Sequence, residues 1–135
     1  MSHEKTLDQR RAAHVLGKIG AVSLEREHKS IVDSLPSMIM SSGLGPTLAF
    51  LKAKCDSPYH TWTYEALQEW LHKGCGVEIG WKSQNSDLLE RLAEEDSFVY
   101  RAATQEALAY AGWLKRAVRA KVKEDGASGA KGGPR

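Results

Sequence analysis

The chain has 135 residues, 41% of them hydrophobic and 27% charged, the size and balance of one soluble domain. That argues against a two-domain enzyme with an interdomain cleft and against disorder over most of the chain. No apolar run approaches the roughly 20 residues of a bilayer span, and MSHEKTLDQRRAAH carries charge where a secretory signal needs an apolar stretch, so a cytoplasmic protein with no membrane partner is expected.

Cys55 and Cys75 are the only cysteines, too few for a disulfide framework, and read as reduced thiols. The net charge of +2 is unevenly spread. Residues 1–54 carry 8 basic and 5 acidic side chains, residues 55–97 carry 3 and 9, and residues 98–135 carry 8 and 3. This suggests an acidic face and a basic face, suited to a polyanion or to an oppositely charged neighbour, a copy of the same chain included, the alternative being solvated helix surfaces with no partner.

The pattern predicts helices joined by short loops. Ala12, Val15, Leu16, Ile19 and Val22 recur at helical spacing, giving a long first helix from Leu7 to about Ser34, loosened near Gly17 and Gly20. Pro36 suits the first turn of a short second helix through Met40, ended by Gly43 in the left-handed conformation. Pro46 starts a third helix, PTLAFLKAK, apolar nearly all round and expected to be buried. CDSPYHTW reads as a loop leading to a fourth helix, from Thr63 as N-cap to His72.

The stretch GCGVEIGWK stops that helix. Its Val77, Ile79, Trp81 alternation has no partner strand and reads as loop. Asp87 with Glu90 has capping-box spacing and opens a fifth helix to about Glu95. A sixth runs from about Phe98 to Val122. The tail EDGASGAKGGPR, residues 124–135, is Gly-rich and polar and is expected to be flexible, leaving residues 1–123 as one helical bundle.

On the sixth helix, Ala103, Ala107, Tyr110, Leu114 and Ala117 share one side as a packing seam. Taking Arg101 as origin, Lys115, Arg119, Lys123 and Arg116 fall within about 60° of it, and the acidic Glu106 about 140° away. From Arg101 to Lys123 the stripe is about 33 Å long, comparable to a turn of duplex nucleic acid. Gly112 lies within it, either to let a phosphate or a partner's backbone approach closely or to relieve crowding against another helix.

Other chemistry is weakly supported. Gly43-Leu44-Gly45-Pro46-Thr47 lacks the Walker A pattern and reads as a turn between helices. Cys55, His60, His72 and Cys75 are zinc-ligand types, but their spacing fits no zinc finger. His14 and His28 read as surface residues, and Glu90, Glu94, Glu95 and Asp96 as a solvated face. Trp62, Trp70, Trp81 and Trp113 are read as core rather than base-stacking platforms, Trp70 beside Leu67 and Leu71 above all. No catalytic constellation emerges.

Two stretches, LPSMIMSSGLGPTLAFLKAK (35–54) and YRAATQEALAYAGWLKR (100–116), closely resemble the small subunit of the Cmr effector complex of type III-B CRISPR systems. The resemblance includes the N-terminal helix with its Arg11-Ala12 opening and covers most of residues 5–120, although the segment 55–95 matches only in helical character. It implies an all-α, non-catalytic subunit without cofactor or small-molecule substrate. Several copies would stack as a minor filament beside the guide-RNA-binding subunits and line the groove holding guide and target RNA.

Contacts would then go to phosphates, since base pairing supplies specificity. Carried over residue by residue, the resemblance makes Arg101, Lys115 and Arg116 the first phosphate-contact candidates, with Arg119 on the same stripe. Lys54 follows, then Arg11 and Lys18. Leu35, Pro36, Met38, Ile39, Gly43 and Leu44 would hold the fold, with Thr104 and Glu106 fixing inter-helix contacts. The rival reading is a small helical DNA-binding regulator using the sixth helix, although its start, Phe98-Val99-Tyr100, suits packing better than base reading. A metal-dependent nuclease is the enzyme alternative.

Overall fold

A computed structural model describes residues 4–132, with side chains described as far as Lys123. Among these residues are seven α-helices, one π-helical turn and no strand. The architecture is the expected all-α one. Helix α1 (Leu7–Gly20) opens on a capping box in which the Thr6 hydroxyl accepts the Gln9 N–H and the Gln9 side chain accepts the Thr6 N–H.

The long first helix is in fact two. α1 ends at Gly20, and α2 (Arg26–Ser42) begins after a five-residue break. Glycines at 17 and 20 weaken the helix there, and a new start is fixed when His28 Nδ1 accepts the Glu25 N–H at 2.9 Å. His28 is itself buried, edge-on to the rings of Tyr59 and Trp62.

Pro36 does not begin a helix but lies inside α2. Its ring removes one helical hydrogen bond, a loss outweighed because Val32, Leu35 and Ile39 all reach the core along one face of a continuous helix. Gly43 ends α2 with φ +99°, ψ 161°. The positive φ that only glycine tolerates well is present, with an extended rather than left-handed ψ.

α3 (Leu44–Ala53) starts two residues before Pro46 and buries Leu44, Thr47, Leu48 and Leu51, while Phe50 is exposed. α4 (Pro58–Glu69) starts earlier than expected, inside the presumed loop. Ser57 is its N-cap, accepting the His60 N–H, and Pro58 occupies the first turn. Thr63 is no cap: it is buried and donates its hydroxyl to the Tyr59 carbonyl at 2.9 Å.

The chain then widens into a π turn, Trp70–Gly74, closed by the Cys75 N–H on the Trp70 carbonyl at 2.9 Å. A Cβ at Gly74 would lie 2.0 Å from the Trp70 ring, so the bare backbone there is what lets the indole enter the core. The Val77-Ile79 segment forms a short helix, α5 (Gly76–Ile79), because Gly80 at φ +77° caps it. α6 (Leu88–Ala93) is capped by Asp87, as its spacing predicted.

α7 (Ser97–Gly132) packs chiefly on α2 and α1. Its seam is the expected one: Ala103, Ala107, Tyr110 and Leu114 are buried, Ala117 packs against the core, and Val99, Ala111 and Val118 extend the line. Small side chains let α2 approach closely, and Tyr110 stacks at 11° on Trp70, which is core as expected. The α7 backbone continues to Gly132, past the end expected at about Val122 and into the stretch 124–135 expected to be a flexible tail, whose side chains lie beyond the last one described.

Candidate nucleic-acid interface

With one side of α7 sunk into the bundle, the opposite side carries the cations. Arg101, Arg116, Arg119 and Lys123 are exposed and Lys115 is half-buried. Arg101, Lys115 and Arg116 have no ion-pair partner among the described residues. Arg116 is close enough to Asp8 to help lower that carboxyl's pKa, whose main cause is the hydrogen bond from Trp113 Nε1 at 2.8 Å. A Cβ at Gly112 would meet only the Arg116 guanidinium, at 3.6 Å. No neighbouring helix requires a glycine there, which removes the crowding explanation and leaves the helix face low beneath Arg116.

The other cations have different surroundings. Arg11 is turned inward, its Nε and Nη2 donating to the two Glu106 oxygens at 2.6 and 2.7 Å. Glu106 also accepts from Trp70 Nε1 at 3.0 Å and is 8% exposed. The inter-helix role expected of Glu106 is met. Arg11 is its counter-ion rather than a phosphate contact, because releasing it would strand a buried carboxylate.

Lys18 sits 3.3 Å from Glu69, which also bonds His14 Nε2 at 3.0 Å. His14 Nδ1 meets the buried Tyr110 hydroxyl at 2.7 Å. His14 is therefore part of a polar link among α1, α4 and α7 rather than a free surface residue. Burial lowers its pKa and outweighs the opposing pull of Glu69. Lys54 is exposed just past α3, its ammonium 5.7 Å from the Phe50 ring centre. The helix rise places it about 14 Å along α3 from Gly45, where α3 touches α7 through Tyr100.

Two features of this surface escaped the sequence. Asp33 of α2 reaches Arg119, with Oδ1 3.3 Å from Nε, and takes Lys29 on its other oxygen at 2.7 Å. Arg26 and Lys29 bring further positive charge to the groove beside Val122. A wheel drawn for one helix shows only that helix's own acids. The i, i+3 spacing of Arg26 and Lys29 becomes a signal only once α2 is known to start at Arg26.

Elsewhere the zinc-type residues do not converge. Cys75 is buried, its thiol pKa pushed up by burial, whereas Cys55 is exposed, His60 bonds Ser57, and His72 lies edge-on to Trp81. Among the described residues no three His, Cys, Asp or Glu side chains gather, and no helix is long and apolar enough to cross a membrane.

The two stretches quoted from the sequence meet in space. The Gly45 N–H bonds the Tyr100 hydroxyl at 2.8 Å, whereas the Thr104 hydroxyl, expected to fix an inter-helix contact, donates to the Tyr100 carbonyl at 2.8 Å within α7 itself. The whole bundle, residues 7–121, matches the family model described as CRISPR-associated protein (Cas_Cmr5). The chain belongs to that family, the small subunits of Cmr complexes, whose members assemble with other Cmr subunits.

Proposed function

We propose that this chain is a non-catalytic subunit that stacks, copy upon copy, as a minor filament and lines the groove holding guide and target RNA in a cytoplasmic antiviral ribonucleoprotein. The observation that carries this reading is the outer side of α7, where Arg101, Lys115 and Arg116 face away from the core with no carboxylate at ion-pair distance among the described residues, Asp8 acting on Arg116 only from further off. Cations at those positions are suited to phosphates, which supply affinity and position but no sequence reading.

The charge division supports the stacking element, since the acidic segment 55–97 and the basic α7 belong to one small bundle and can pair between copies. No cofactor and no small-molecule substrate enters this role. The guide and target strands and the other Cmr subunits are its partners.

Affinity purification of the tagged protein from its native host at moderate salt, with mass spectrometry and sequencing of bound RNA, tests the reading. Co-purification of Cmr subunits with RNAs carrying repeat-derived ends is expected. Recovery of Cmr subunits without RNA would contradict the RNA-lining role, and recovery of a promoter fragment would favour a DNA-binding regulator.

A further inference from the structure

Asp33 occupies an unusual place. Its neighbour Val32 is buried in the core, and the carboxylate comes out at the edge where α2 meets α7, 23% exposed. Around it Arg26, Lys29, Ser30 and Val122 complete an open groove of about 500 Å³. Arg119 reaches the same carboxylate from α7, so three cations surround a single acid.

The two oxygens are held differently. Oδ2 accepts from Lys29 Nζ at 2.7 Å. Oδ1 is buried and accepts no hydrogen bond among the described residues, although Arg119 Nε stands 3.3 Å away. That second contact is an attraction without aligned geometry, and the Arg119 side chain is more than half exposed. Lys29 and Arg119 are the exposed ends of these pairs, 38% and 57%, so their heads can exchange Asp33 for another anion while the carboxylate stays in place. The long stems of Lys29 and Arg119 allow either head to leave Asp33 without backbone movement.

We propose that Asp33 is a built-in counter-ion that masks Lys29 and Arg119 and gives them up to backbone phosphates when duplex RNA enters the groove between α2 and α7. This rests on the reading that α7 faces RNA, and adds a residue that tunes how strongly it does so. In the free chain the carboxylate neutralises this end of the stripe and weakens its hold on any RNA. On the duplex, phosphates take over the two cations, which then add to the counter-ions released.

The test measures binding of a fluorescent RNA duplex to the full chain as salt is raised, with thermal melting run beside it. Asp33→Asn is expected to bind about five-fold more tightly at low salt, with the salt slope changed by less than about one counter-ion, since the same phosphates are neutralised in both. Asp33→Glu keeps the charge and should behave as the unmodified chain. Glu90→Gln removes the same charge from an exposed position on α6 and should change binding by less than about two-fold.

Asp33→Asn binding no better than Glu90→Gln, or neither binding at all, overturns the proposal. Should Asp33→Asn fail to fold, Arg119→Gln serves instead. An Arg119 given up to a phosphate on the duplex should cost a few-fold in affinity and about one counter-ion of salt slope when replaced, and an unchanged slope overturns the proposal. Lys115→Gln with Arg116→Gln reports on the interface itself: weaker binding there without a gain from Asp33→Asn removes the mask alone. No loss there removes the interface reading, and the mask is then judged by Asp33→Asn against Glu90→Gln.

Discussion

The Tyr100 hydroxyl accepts the Gly45 N–H at 2.8 Å, tying the first turn of α3 to the first turns of α7. A Cβ on Gly45 would stand 2.9 Å from that same oxygen, so the glycine and the tyrosine require each other. Tyr100→Phe removes the acceptor of a half-buried N–H and should cost about 1 to 2 kcal/mol in urea unfolding. Gly45→Ala should cost at least as much, and less when combined with Tyr100→Phe, since one clash and one bond are shared.

The Arg11–Glu106 pair should be among the most sensitive features of the fold. Two hydrogen bonds join the groups, Trp70 supplies a third, and Glu106 has almost no access to water. Arg11→Ala leaves the carboxylate buried and uncompensated, a loss of about 3 kcal/mol. Arg101→Ala, on the exposed side of α7, should change stability by less than about 0.5 kcal/mol. Equal effects in chemical denaturation would contradict the division of α7 into a structural and a solvent side.

Gly74 and Gly112 should respond oppositely to alanine. At Gly74 the new Cβ would sit inside the Trp70 ring, forcing the indole from the core or the π turn open, with a loss of about 3 kcal/mol or more. At Gly112 it would make only an ordinary contact with Arg116. There alanine should raise stability by about 0.5 to 1 kcal/mol through helix propensity. Thermal melting of both variants checks the pair.

Stability should fall as pH drops below about 6.5. Burial lowers the pKa values of His14, His28, His60 and His72. Each therefore stays neutral in the folded chain at pH values where the unfolded chain already takes up the proton. The unfolded state then binds more protons, so stability is full above the unfolded pKa and is lost as pH falls through the folded one. Asp87 and Glu69 are held below their usual range despite burial, by hydrogen bonds from Glu90 N–H and Lys52 to the first and from Lys18 to the second. Their loss comes later, from about pH 4 downward. Urea unfolding of the chain and of His14→Asn between pH 7.5 and 5 should show a shallower decline in the variant.

The elements most readable from the sequence were those whose signals are local. Asp87 and Glu90 announce α6, and the four-three spacing of Ala103, Ala107, Tyr110 and Leu114 announces the buried side of α7. The break before α2 was not readable, because His28 is fixed by Tyr59 and Trp62 from a helix some thirty residues further on. Pro36 misled for a similar reason: local rules put proline at a helix start, while Leu35 and Ile39 on one core face carry the helix through it. Of the candidate cations, those on the outer side of α7 kept the position their wheel gave them. Arg11 and Arg119 acquired partners, Glu106 and Asp33, that only the packing of α7 on α1 and α2 brings within reach.

The central claim is that α7 presents its cations to RNA phosphates within the assembled complex. Its most direct test is the salt dependence of target-RNA retention by a reconstituted Cmr complex carrying Arg101→Gln, Lys115→Gln and Arg116→Gln in every copy of this subunit. The account predicts an intact complex, weaker retention, and a slope of log affinity against log salt shallower by about one counter-ion for each phosphate no longer neutralised. An intact complex with unchanged retention and an unchanged slope would contradict it.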